Sequence, residues 1–237
     1  MTTIDGKVCF VTGGANGIGK ATALKLLAMG GKVFVLDLSP ERIAVLEQEC
    51  AGQELACAVG SVAREAEVAA AFATCRAIFG PVDILVNNAG IGIPTPNLAE
   101  TDLAVFEQMV DVNFKGVFLA SREALKDMQA RKRGHILTVV SMAGQRTNPG
   151  APAYCATKFA ARGLSSGIAD QAIKSGIKIT DINPGPVDSD YWGDRDVPRE
   201  KFLKPADVAE VIGFVVGCPD YMMVREINFD NLNFLVK

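Results

Sequence analysis

Tyr154 and Lys158 stand four residues apart in the run Tyr154-Cys155-Ala156-Thr157-Lys158, and Ser141 precedes the tyrosine by 13 residues. On a helix, a spacing of four puts two side chains on one face, so a phenol and an ammonium group would lie side by side. A phenol titrates ordinarily near pH 10. Bringing it to about 7 takes roughly 4 kcal/mol of preferential stabilisation of the phenolate. One positive charge about 4 Å away supplies roughly that at an effective dielectric near 20, and Lys158 can be that charge. The pair then reads as an acid/base for the proton of an alcohol. Ser141 would donate a hydrogen bond and hold the reacting oxygen against the Tyr154 hydroxyl. Each residue alone has a plain alternative: a half-buried tyrosine, a serine closing a strand, a solvated lysine. Their joint spacing is what speaks for chemistry.

A second group of residues reads as a binding site. Thr12-Gly13-Gly14-Ala15-Asn16-Gly17-Ile18-Gly19 follows a short apolar run and opens a segment with helical spacing. Glycines there permit torsions and close approaches that a Cβ would block. The free N–H groups and positive dipole end of the following helix can hold a pyrophosphate without any basic side chain. The spacing is Gly-x-x-x-Gly-x-Gly rather than Gly-x-Gly-x-x-Gly, so the motif rests on its place between strand and helix. Asp37 ends the second apolar run, 18 residues beyond Gly19, where a carboxylate can bind the adenosine ribose hydroxyls. It would repel an extra phosphate there, and no arginine or lysine lies between Gly13 and Gly19 to attract one. The expected cofactor is NAD, with a nicotinamide bound beside Ser141, Tyr154 and Lys158. Asp37 could also serve only to cap the helix opening at Pro40.

The elements that must position these groups alternate strand and helix. Apolar runs at Lys7–Thr12, Lys32–Leu36, Leu55–Val59, Val82–Val86, His135–Val140, Ile177–Ile182 and Val224–Phe229 read as strands. Helical spacing covers Ile18–Met29, a segment from Pro40, Glu65–Phe79, about Asp102–Arg131, Ala153–Lys174 and Pro205–Val216. Strands apolar throughout belong in a sheet covered on both faces, and alternation with long helices points to parallel βαβ units. The expected fold is α/β: one domain over residues 1–237, a doubly wound parallel sheet of about seven strands with helices on both faces. Ser141 then falls at a strand end, on the crevice side of such a sheet. Residues 186–203 are polar and aromatic, and a loop that long commonly serves a site as a lid.

Bulk properties exclude several other functions. The chain has 237 residues, 49% of them apolar and 22% charged, and a net charge of −3, which gives no basic surface for nucleic acid. The six cysteines (Cys9, Cys50, Cys57, Cys75, Cys155, Cys218) include no Cys-x-x-Cys pair, and His135 is the only histidine. Neither a zinc site nor a disulfide framework is expected; reduced, buried thiols in a cytoplasmic protein are. His135 sits at a strand start, away from the active strand ends, and reads as structural. No secretory pattern opens the chain, and no apolar run approaches the roughly 18 residues of a membrane span.

Taken together, Thr12–Gly19, Asn87-Asn88-Ala89-Gly90, Asn113, Ser141, Tyr154 with Lys158, and Pro184-Gly185 resemble the classical short-chain dehydrogenase/reductase family over essentially the whole chain. The resemblance implies a Rossmann-type fold and hydride transfer between NAD and an alcohol or carbonyl carbon. It implies that Asn87, Ala89 and Gly90 stabilise the sheet and border the adenosine ribose. Asn113 would hold a water that links Lys158 to solvent, and Lys158 would also bind the nicotinamide ribose. Pro184, Gly185 and the Val187 backbone would line the nicotinamide, and Ser189 stands where the family often has threonine. Gly13, Asn16, Gly17, Ile18 and Gly19 would cradle the pyrophosphate. Ser61, followed by Val62, replaces an aspartate that commonly reads the adenine amino group. The resemblance also implies a homodimer or homotetramer, with the dimer built on the two long helices; the C-terminal residues 226–237 depart from the family's usual glycine pair and short tail.

The substrate pocket is expected between Ile91–Pro94, Ala143–Pro149 and the lid. Tyr191 and Trp192 can wall it, and Arg146, Arg195 or Arg199 can meet a carboxylate. A short lid favours a compact substrate. The main alternative is a catalytically silent NAD-binding sensor or scaffold, which would need none of Asn113, Ser141, Tyr154 and Lys158. An epimerase or dehydratase with tightly held NAD is a third reading, weakened by the roughly 50 residues after Gly185, too few for a substrate domain.

Overall fold

A computed structural model describes residues 3–236. Seven strands form one parallel sheet: β1 (Val8–Thr12), β2 (Lys32–Asp37), β3 (Leu55–Val59), β4 (Ile84–Asn87), β5 (Gly134–Val139), β6 (Ile177–Pro184) and β7 (Glu226–Phe229). Their order is β3-β2-β1-β4-β5-β6-β7. The order follows from composition. β1 is buried at every position, as a central strand covered on both faces must be. Cys9 and Val11 face one core while Phe10 faces the other. The chain winds outward from β1 through β2 to β3, then restarts at β4 and winds the other way. The carboxyl ends of β1 and β4 therefore flank a topological switch point, where ligands bind in open α/β sheets.

The helices are α1 (Gly17–Ala28), α2 (Pro40–Glu49), α3 (Glu65–Phe79), α4 (Leu103–Val110), α5 (Gly116–Arg131), α6 (Pro152–Ala172), α7 (Pro205–Val216) and the short α8 (Leu232–Leu235). Leu26 and Leu27 of α1, Leu46 of α2 and Val208, Ile212 and Val215 of α7 fill one core. Phe72 of α3, Leu119 and Ala124 of α5 and Ala169 of α6 fill the other. There Phe10 stacks on Phe72 at 4.1 Å between ring centroids, which adds about 1 kcal/mol to the area they bury. α2 begins as its sequence dictates: Ser39 accepts from the Arg42 N–H at 3.2 Å, and Pro40 follows. Proline is pre-set for a first turn, and the serine satisfies an otherwise orphan donor.

Two elements differ from the periodicity. The helix expected over about 102–131 contains a π turn at Asp111–Lys115, so α4 and α5 are separate units. The Gly116 N–H reaches back five residues to the Asp111 carbonyl. Asn113 in this turn is buried, and its carboxamide bonds lie outside the helix, with Ile91 and Thr157. The tail forms α8, which the sequence pattern leaves unstructured; Asn231 caps it by accepting from the Asn233 N–H at 2.9 Å. All six cysteines are free. Among the described residues no helix is long and apolar enough to cross a membrane.

Candidate active site

A cleft of about 820 Å³ runs along the carboxyl ends of the central strands. At one end lies the glycine loop. Gly17 has φ +52, a torsion that favours glycine, and its bare α-carbon faces the cleft; a methyl group placed there would have only the Ser189 Cβ nearby, at 3.6 Å. At Gly19 a Cβ would lie 2.0 Å from the Gly13 carbonyl oxygen, so only glycine lets α1 start directly on the loop. Asn16, the residue before α1, does not cap it. The first-turn N–H groups thus lack intrahelical or side-chain partners and are free for an anion. Asp37 is fixed at the lip: one carboxylate oxygen accepts from Ala15 N–H (2.9 Å), the other from Ser39 N–H (3.1 Å). The Ser61 hydroxyl accepts from the Ala63 N–H (3.2 Å), beside the buried Val62.

At the other end Ser141 follows β5 with φ 132 and ψ 159, a region reserved almost entirely for glycine. Its hydroxyl accepts from the Ala143 N–H at 3.1 Å, and both Ser141 and Tyr154 line the cleft. Lys158 is buried, donates to the Val139 carbonyl at 3.0 Å, and lies 5.8 Å from the Tyr154 ring centroid. Burial pushes its ammonium down to about 8. Burial also holds the Tyr154 phenol well above its usual range, with Tyr191 adding to the rise and Ser141 opposing it. Lys158 does not figure among the causes, so in the ligand-free protein burial sets the direction.

Asn113 does not face the cleft. Its carboxamide accepts from the Ile91 N–H (2.8 Å) and donates to the Ile91 carbonyl (2.8 Å) and the Thr157 hydroxyl (3.0 Å). Thr157 in turn donates to the Tyr154 carbonyl at 2.7 Å. The side chain therefore ties the segment after β4 to the helix carrying Tyr154 and Lys158.

The lid folds over both ends. Its base is closed by a parallel bridge between Val187 and Leu203, and Asp188 N–H donates to the Leu203 carbonyl at 2.7 Å. Trp192 donates its indole N–H to the Val187 carbonyl at 2.8 Å, so the Val187 N–H is the group left for a carboxamide. Tyr191 leans on Tyr154 with ring centroids 5.6 Å apart. From Tyr191 the aromatic contacts run through Trp192 and Phe202 to Phe234 of α8. Arg195 stacks over Tyr191 and Trp192 and donates to the carbonyls of Gly92, Tyr191 and Trp192. Arg199 pairs with Asp188 at 3.2 Å and the Gly193 carbonyl at 2.6 Å. Both arginines are thus engaged within the lid segment, and Arg195 also lines the cleft. Arg146 is the one left with a mostly exposed guanidinium, 3.8 Å from Asp230.

Gly13, Asn16, Gly17, Ile18, Asp37, Ser61, Val62, Ala89, Gly90, Ser141, Tyr154, Lys158, Pro184, Gly185, Val187 and Ser189 all line this cleft. Gly19, Asn87 and Asn113 stand behind its wall. Asn87 points away and donates to Ser121 at 3.0 Å; alternation along a strand puts its neighbour on the other side. Asn88 is that neighbour, donating to the carbonyls of Thr12 (3.0 Å) and Gly13 (2.9 Å). Sequence reasoning missed Arg42 and Phe234, which also line the cleft. The apolar spacing in Leu232-Asn233-Phe234-Leu235 was the available signal for the latter. His135, at the far end of β5, contacts Thr180 at 2.8 Å, and burial pushes its ring down to about 3.

The chain matches the model of the short chain dehydrogenase family over residues 7–199 and belongs to that family. The protein is therefore an oxidoreductase. It is 30% identical over 230 residues to an uncharacterised oxidoreductase of Staphylococcus saprophyticus, covering 96% of this chain and 98% of the relative. Among solved structures it is similar to a metagenomic short-chain oxidoreductase in complex with NADP (TM-score 0.84, 28% identity, 96% and 97% of the two chains covered). It is also similar to an alcohol dehydrogenase from the archaeon Thermococcus sibiricus complexed with 5-hydroxy-NADP (TM-score 0.87, 28% identity, 96% and 97%).

Proposed function

We propose that this protein is an NAD-dependent alcohol dehydrogenase or carbonyl reductase, acting on a small secondary alcohol or ketone, or on a hydroxy or oxo acid. The observation that carries this reading is that Ser141, Tyr154 and Lys158 line one cleft with the uncapped start of α1. The bare α-carbon of Gly17 and the free first-turn N–H groups fit a pyrophosphate. Asp37 fits a ribose diol and argues for NAD, although the structural neighbours named above are NADP complexes. When bound, the nicotinamide supplies the hydride acceptor or donor. The Val187 N–H would receive its carboxamide, the Ser189 hydroxyl would lie beside the loop, and Lys158 would hold its ribose.

Ser141 orients the substrate oxygen by a hydrogen bond. Tyr154, protonated in the free protein, gives its proton to a carbonyl oxygen in reduction and takes one from an alcohol in oxidation. Its proton returns through Lys158 and a water held at the π turn near Asn113. Tyr191, at the Tyr154 hydroxyl, limits the pocket to a compact substrate, and Arg146 is the cation available to a carboxylate. The reading also places the protein in the cytoplasm, with its thiols reduced, as a homodimer or homotetramer.

The test is nicotinamide reduction followed by absorbance, with NAD or NADP and a panel of small secondary alcohols and hydroxy acids. Wild type should turn over with NAD, and Tyr154→Phe should lose at least about a hundredfold in kcat. A preference for NADP overturns the role given to Asp37. Tight NAD binding with no turnover of any panel member favours the silent sensor.

A further inference from the structure

Asp190 opens the one-turn 3-10 helix of the lid, Asp190–Trp192, and reaches across the cleft to the glycine-loop side. One of its carboxylate oxygens accepts from the Asn16 carboxamide at 2.9 Å and from the Arg42 guanidinium at 3.2 Å. The three residues come from the phosphate loop, the first turn of α2 and the lid, 148 and 174 positions apart in sequence. Asp37 lies at the same end, bonded to Ala15 next to Asn16. Of the described cations lining the cleft, Arg146, Lys158 and Arg195 stand at the catalytic end or in the lid, and Arg42 alone stands at the Asp37 end. The other nearby cation, Lys20, is paired with Glu49 at 2.5 Å.

A phosphate on the adenosine ribose carries up to two negative charges and binds best to a guanidinium. The guanidinium within its reach, Arg42, is already held by a lid carboxylate. A second carboxylate, Asp37, occupies the diol position. We propose that Asp190 is a second cofactor-selectivity residue: it engages Arg42 and sets a negative charge over the ribose rim, excluding a 2′-phosphorylated dinucleotide whenever the lid is closed. This rests on the dinucleotide reading of the cleft. Asp190 acts through Arg42 and is a positioning residue. Selectivity is thereby coupled to lid closure, because Asp190 travels with the lid and Asp37 does not.

A latch with a purely structural role would weaken NAD and NADP binding alike. A selectivity role changes their ratio. Trp192 is the only tryptophan and sits two residues from Asp190, so its fluorescence reports dinucleotide binding directly. Dissociation constants for NAD and NADP should be measured on wild type, Asp190→Asn, Asp190→Glu, Arg42→Gln and the Asp190→Asn/Arg42→Gln double variant. Asp190→Asn should shift the ratio toward NADP by about three- to tenfold, the scale of an exposed charge pair. Asp190→Glu should keep the wild-type ratio, and the double variant should lose the shift. An unchanged ratio in Asp190→Asn, or an equal shift without Arg42, overturns the proposal. A wild type that prefers NADP overturns the role of Asp37 but leaves the Asp190 ratio as the deciding result. Binding of neither dinucleotide overturns both.

Discussion

Ser141 holds a backbone conformation that a side chain makes expensive. At φ 132 and ψ 159 a non-glycine residue costs on the order of 1–3 kcal/mol. The cost is sustained because the hydroxyl must reach Tyr154 from a strand end. Ser141→Gly should therefore raise the thermal midpoint by about 2–4 °C, after the lost bond to Ala143 is counted, and lower kcat by about a hundredfold or more. Calorimetry and steady-state kinetics on the same preparation check both halves. Lys158 makes a similar trade. Its ammonium titrates at about 8 when folded against 10.5 ordinarily, so below pH 8 the folded state carries the full cost of a buried charge. That cost is about 3 kcal/mol, and it disappears as pH rises from 8 through 10.5. Lys158→Met should abolish turnover yet stabilise the fold at pH 7 by about 1–2 kcal/mol once the orphaned Val139 carbonyl is charged against it. The gain should vanish in denaturant titrations near pH 10.5. The identities of Ser141, Tyr154 and Lys158 were legible from spacing. The torsion at Ser141 and the protonated state of Tyr154 were not, because both depend on packing brought in by distant segments, Tyr191 above all.

Helices and strands were legible where periodicity alone decides them. Glu65–Phe79 and Pro205–Val216 are helices over the residues their patterns mark, and the seven strands differ from expectation only at their ends. The π turn at Asp111–Lys115 was hidden: one extra residue in a long helical stretch hardly disturbs an amphipathic pattern, and its stabilisation comes from Ile91 and Thr157, far away in sequence. π turns concentrate at functional sites, and here one places Asn113 between the segment after β4 and the helix carrying Tyr154 and Lys158. The loop at 186–203 was legible as a loop, but not its internal ties. Arg195 bonds three carbonyls and stacks on two aromatic rings. Arg195→Gln should raise KM about tenfold and speed chymotryptic cleavage at Tyr191 and Trp192, with the thermal midpoint moving less than about 2 °C because Arg195 itself belongs to neither core. A large drop in midpoint with an unaltered KM would show that Arg195 serves the fold and not the pocket.

At the scale of the molecule, the two cores leave large apolar side chains exposed on three helices, α4, α5 and α6. Leu103 and Phe106 of α4, Phe118 of α5 and Phe159 of α6 are exposed by 67%, 40%, 43% and 40%. Where such side chains adjoin they mark contact surfaces, and a two-fold axis would bury them against a second copy. Sedimentation should give at least twice the chain mass, and Phe106→Asp combined with Phe159→Asp should yield monomers. A wild type that sediments as a monomer would refute the homo-oligomer. The overall architecture was the most legible feature of all. A doubly wound sheet follows from apolar strands alternating with helices, whereas the cleft's occupants depend on which few side chains its loops deliver.

The bridge between Val187 and Leu203 separates the lid from the sheet that carries it. Because that junction is hydrogen-bonded on its own, the residues it encloses form a cassette with fixed ends. Chain length inside such a cassette can vary at little cost, since closure entropy grows only slowly with loop size. Ser141, Tyr154 and the glycine loop lie outside it. New substrate preferences can therefore arise by exchanging the insert, with the chemistry inherited intact: the scaffold is fixed at its base and open to variation at its rim.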